Sequence, residues 1–166
     1  MKRIRRWALI AIGGLLSIAA ISAFLLFPST NPWVIRFKTH IIGAVLTYAP
    51  LASDDDKWEL VLKGVRSGDE TWLQVALDLY PALDTHPGEE MLGAVATAFD
   101  KNPSGAVRIL LPTYGAQVVC GEDEEGSGID RLHAERRAQL VEGLTASPER
   151  AACLTVIRQI LGKSGK

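Results

Sequence analysis

Three groups of residues in this chain carry side chains with usable chemistry. Asp130 and His133 stand three apart, and Glu135, Arg136 and Arg137 follow them. On a helix that spacing puts a carboxylate and an imidazole on one face, the pairing that general acid–base work or a partial metal site requires. No second ligand pair and no nucleophile accompanies them, so the same residues read first as a surface ladder of ion pairs. The acidic run Glu122-Asp123-Glu124-Glu125 offers several oxygens to a hard cation, but it lacks the alternating acids and closing glutamate of a calcium loop. It reads as a solvated loop, just as Asp54-Asp55-Asp56 reads as the start of a helix.

The third group is the pair of cysteines, Cys120 and Cys153. There is no Cys-x-x-Cys, and neither sulfur has a histidine nearby in sequence. In an oxidising compartment an isolated pair is a disulfide, here tying the segment before the acidic run to the last helix. Other short patterns fall away. His133-x-Glu135 is half of a zinc deaminase signature whose Pro-Cys-x-x-Cys half is missing. Gly162-Lys163-Ser164 lacks the glycine and the following helix of a P-loop, and Gly126-Ser127-Gly128 is too tight for a nucleophile elbow. Leu111-Pro112-Thr113-Tyr114-Gly115 resembles a sorting signal with its threonine one place early and no hydrophobic tail after it. The expectation is a protein with no catalytic residues, no cofactor and no metal. Glu122, Asp123, Glu124, Glu125, Asp130, His133, Arg136 and Arg137 are then candidate contact residues.

The elements that position these residues read as helices. Trp58, Val61, Leu62 and Val65 follow one another at helical spacing after the caps of Ser53–Asp56. A second helix opens at Asp69-Glu70, turns Trp72, Leu73, Ala76, Leu79 and Tyr80 inward, and breaks at Pro81. A third starts near Pro87 with Leu92, Val95, Ala96 and Phe99 on one stripe and stops at Asn102-Pro103. A short fourth runs from Pro103 to Leu111, where Pro112 ends it. Thr113 to Gly128 reads as irregular, with room for one short strand between Tyr114 and Cys120. A fifth helix, about 129–144, is anchored by Leu132, Leu140, Val141 and Leu144. The sixth has Ser147 as N-cap, Pro148 in its first turn, and Cys153, Leu154, Ile157, Ile160 and Leu161 inward, and it stops at Gly162. Residues 51–162 thus form a soluble all-α domain, an irregular bundle of about six helices with helical-hairpin or HEAT-like packing, and residues 163–166 fray. No fixed repeat period is present.

Ahead of this domain stand a basic tail, residues 1–6, and an uncharged apolar run from Trp7 to Phe27. Those 21 residues reach about 31 Å as a helix, the thickness of a bilayer's hydrocarbon core. The run is too long for the apolar region of a cleaved signal peptide, the competing reading, although Ile21-Ser22-Ala23 is a weak cleavage site. Gly13, Ser17 and Ala20 share a face on which spans can pair. Residues 28–50 form a juxtamembrane amphipathic segment, either an interfacial helix with Arg36, Lys38 and His40 meeting lipid phosphate or the first core helix of the domain. The expected placement is a single-pass protein of a bacterial inner membrane, N-terminus cytoplasmic and domain periplasmic.

Charge follows the same division. Residues 50–166 hold all 19 acids against 12 bases, net −7. An acidic domain repels phosphate backbones, which argues against nucleic acid and for a protein partner. The expected function is protein contact, as an accessory subunit of an envelope complex or an immunity-type inhibitor of an exported toxin, with self-association open. The alternative is a periplasmic metal-dependent ligand binder or enzyme built on the Asp130/His133 face and the acidic loop.

Overall fold

The computed structural model describes residues 22–24, 27–83, 85–123, 125 and 128–163. The basic tail, all but four residues of the Trp7–Phe27 run, and residues 164–166 lie outside them. Among the described residues no helix is long and apolar enough to cross a membrane, and the fold is all-α.

Among the described residues, helical residues 22–24 and then two longer helices precede the predicted domain. Helix α1 (Pro32–Ile42) begins where the Asn31 side chain accepts from the Trp33 and Val34 amides and Pro32 fills the first turn. It stops at Gly43, whose φ of 89° a residue with a Cβ adopts only under strain. Helix α2 (Ala44–Ala52) then leaves at a new angle. Pro50 lies within α2 and does not end it. Ile35, Tyr48 and Leu51 are buried in the main core, so this segment is part of the domain.

Helix α3 (Asp55–Arg66) is capped by Asp54, and α4 (Glu70–Leu79) by Asp69. A 3₁₀ turn, Tyr80–Ala82, follows, and Tyr80 is exposed where the apolar spacing predicts it inward. The centre of the molecule is α5 (Thr85–Lys101). It has no charged residue from Met91 to Phe99, and Met91, Ala94, Val95, Ala96, Ala98 and Phe99 are all fully buried. A helix enclosed on most of its circumference must be apolar nearly all round, and its alanines let neighbours come close.

Beyond α5 the structure corrects the sequence reading. Pro112 does not end a helix. One turn, Pro103–Gly105, passes into a π-wound stretch, Ala106–Leu110, and then into α6 (Leu111–Gly121). The Leu111 amide donates to the Ala106 carbonyl five residues back, so the backbone is already widened where the proline ring arrives without its N–H. The short strand anticipated between Tyr114 and Cys120 is therefore helix, kinked at Gly115 with φ 81°. The irregular loop begins only at Glu122 and, among the described residues, is pinched by a bridge between Glu122 and Gly128.

Helix α7 (Arg131–Glu142) and helix α8 (Pro148–Lys163) pack on each other, and α8 also packs on α6. Ser147 caps α8 through the Arg150 amide, and the helix runs one residue past Gly162, the expected stop. Cys120 and Cys153 are paired with their Cα atoms 5.5 Å apart. The bridge joins helix α6 to helix α8, where a loop-to-helix tie was expected, because the residues before Cys120 are themselves helical.

Candidate functional site

Two of the residues singled out for chemistry, His133 and Arg137, meet around a carboxylate that the sequence reading passes over, Asp100; Glu135 and Arg136 stay on the outer side of their helix. Asp130 caps α7, its Oδ1 accepting from the His133 amide at 2.7 Å. That cap turns the His133 ring toward α5, where Nε2 lies 3.0 Å from Asp100 Oδ2. One turn further along, Arg137 enters the same place. Its Nε donates to Asp100 Oδ1 at 2.8 Å and its Nη2 to Oδ2 at 2.9 Å, a bidentate fork. Nη2 also donates to the Ala96 carbonyl and Nη1 to the Glu122 carbonyl, and the guanidinium carbon sits 5.0 Å from the centre of the Phe99 ring.

Arg137 is fully buried, which corrects its reading as a surface residue. The inward stripe of α7 is Ala134, Arg137 and Val141, at i, i+3 and i+7. Leu132 and Leu140, expected as anchors, are 70% and 37% exposed. Hydrophobicity alone puts the leucines inside, but the partly buried Asp100 on the facing helix selects the rotation that brings a cation to it. Burial opposes ionisation of Asp100, yet the Arg137 fork and His133 outweigh it and hold the carboxyl below the usual carboxylate range.

The arrangement is a clamp. Every Arg137 hydrogen bond ends on Asp100 or on a backbone carbonyl, and together they join α7 to α5 and to the start of the acidic loop. Glu122 is half-buried, and burial with Asp123 beside it raises its carboxyl above the ordinary glutamate range. Asp123 accepts from the Glu125 amide, and Glu124 lies outside the described residues. Among the described residues no three His, Cys, Asp or Glu side chains are grouped to hold a metal. An open cleft of about 510 Å³ has Ser104, Arg108, Ser147 and Arg150 in its walls and none of the clamp residues. Arg108 is paired with Glu70, and Arg150 closes the end of α7 by donating to the Val141 and Glu142 carbonyls.

What α7 leaves facing outward is a stripe: Leu132, Arg136 and Leu140, at i, i+4 and i+8, all exposed. Beside it Arg131 pairs with Glu135 at 3.0 Å. The sequence signal for this stripe was present, since the same leucines carry the helical period, but their direction depends on Asp100, whose role is not visible without the fold. Compared with family models, curated proteins and solved structures, the chain matches none.

Proposed function

We propose that this chain is a membrane-anchored, extracytoplasmic helical domain that acts by protein contact, as an accessory subunit of an envelope complex or an inhibitor of an exported toxin. The observation that carries the reading is the outer face of α7, where Leu132 and Leu140 flank Arg136 on a helix held rigidly from behind. Exposed leucines with an arginine between them have the composition of an interface anchor. The disulfide supports an oxidising compartment, and the Trp7–Phe27 run supports the anchor. Tethering raises the effective concentration at a membrane partner, so a small contact face suffices.

The test is a photo-crosslinking residue at Leu132 in the full-length chain, in cells. A single stoichiometric protein should be captured there, and Leu140→Glu should abolish the capture while the domain melts unchanged. Recovery of the chain without a crosslinked protein at this position overturns the contact reading.

A further inference from the structure

Seven of the eleven large apolar side chains exposed among the described residues fall between Phe24 and Leu46: Phe24, Phe27, Trp33, Phe37, Ile41, Val45 and Leu46. Trp33, Phe37 and Ile41 repeat at i, i+4 and i+8 along the outer side of α1, while Ile35 on its other side is buried. A soluble surface rarely concentrates so many.

The two cations placed among them are turned away. Arg36 pairs with Asp78 of α4 at 2.9 Å. Lys38 is buried, donates to the Phe27 carbonyl and lies 5.1 Å from the centre of the Phe24 ring, and burial lowers its ammonium below the usual lysine range. The expected contact of Arg36 and Lys38 with lipid phosphate is therefore replaced by contacts inside the protein; of the three basic residues only His40 stays exposed, beside Ile41, on an outer face that is otherwise mainly apolar.

What lies against this face follows from the chain that enters it. The apolar run ends at Phe27, and α1 begins at Pro32. Five residues span at most roughly 18 Å, and the Lys38 bond to the Phe27 carbonyl shortens the separation further. α1 and α2 have 11 and 9 residues, about 16 and 14 Å, so neither crosses a 30 Å core. No acidic residue occurs before Asp54 to repel a headgroup layer.

We infer that the outer face of α1 and the start of α2 lies in the headgroup–acyl boundary of the bilayer that receives the Trp7–Phe27 run, with Trp33, Phe37, Ile41, Val45 and Leu46 as the immersed side chains. This rests on the anchor reading given under the proposed function. The contact is apolar, so it differs from a polybasic attachment in being insensitive to salt.

The full-length chain in vesicles of phosphatidylethanolamine and phosphatidylglycerol tests it, with lipids brominated high on the acyl chain as quenchers. The Trp33 share of the emission is the difference between the wild-type chain and Trp33→Phe. It should fall roughly twofold with brominated lipid, equally at low and high salt. A Trp33 share that bromine leaves unchanged, in chain that still floats with the vesicles after alkaline washing, overturns the inference and leaves the anchor standing. Chain that fails to float overturns both. A benzophenone residue at Phe37 in cells adds a second readout: crosslinks to lipid support the inference, whereas crosslinks to a second copy or to another protein overturn it.

Discussion

Arg137 and Asp100 meet through two guanidinium–carboxylate hydrogen bonds of 2.8 and 2.9 Å, with the arginine fully enclosed. Breaking such a pair from one side leaves a buried charge without its partner, which costs about 3–5 kcal/mol. Asp100→Ala should destabilise the full-length chain by that order, read as a lowered urea midpoint at unchanged slope. Asp100→Ala with Arg137→Met should recover part of the loss, because the stranded cation is gone. A double variant no more stable than the single one would mean that the charge is not what holds α7.

The same pair sets an acid limit. Asp100 has a folded-state pKa below its unfolded value, so its contribution is complete above about pH 4 and is lost as pH falls through the folded value. Glu122 works in the opposite direction: its carboxyl is raised, and its contribution is present at low pH and lost as pH rises through that value. Stability measured from pH 7 down to 3 should fall in the wild type and should fall less steeply in Asp100→Asn. Parallel curves would remove Asp100 as the source.

The Cys120–Cys153 bridge closes a segment with a sequence separation of 33. Chain entropy for that length gives about 3–4 kcal/mol. Reduction, or Cys153→Ser, should lower the melting temperature by roughly 10 °C. Equal melting with and without reductant would show that α6 and α8 are held by packing alone.

Gly64 is the point where α3 lies directly against the indole of Trp72. A Cβ there would stand 2.3 to 2.7 Å from three ring carbons. Helix propensity predicts that Gly64→Ala stabilises by about 1 kcal/mol, whereas overpacking costs about 1–3 kcal/mol. The expected result is net destabilisation with a shifted tryptophan emission. A more stable variant would mean that the indole moves aside freely.

The parts of the fold that the sequence discloses are those where one period or one cap decides. Trp58, Val61, Leu62 and Val65 are all buried, Asp69 and Ser147 cap the helices they precede, and the cysteines pair. Pro112 misleads because its effect depends on the backbone it meets, and the π-wound turn before it is not encoded by any single residue. At α7 two signals conflict. Leu132 and Leu140 argue for one rotation and Arg137 for another, and only the position of Asp100 on a different helix decides between them. Of the candidate contact residues, Arg136 keeps an outward place, while His133 and Arg137 are engaged behind the helix.

The hydrogen bond from Lys38 to the Phe27 carbonyl bears on how an anchored domain would search for its partner. A slack tether lets a domain sweep a hemisphere and present every side in turn. With the Phe27 carbonyl held by Lys38 of α1, a span ending at Phe27 would meet the domain beside α1 and not through a slack linker. Such a domain would drift in the plane of the sheet it stands on with less freedom to tumble, showing its neighbours a narrower range of faces. Meeting a partner would then depend mainly on two-dimensional diffusion and on rotation about a single axis.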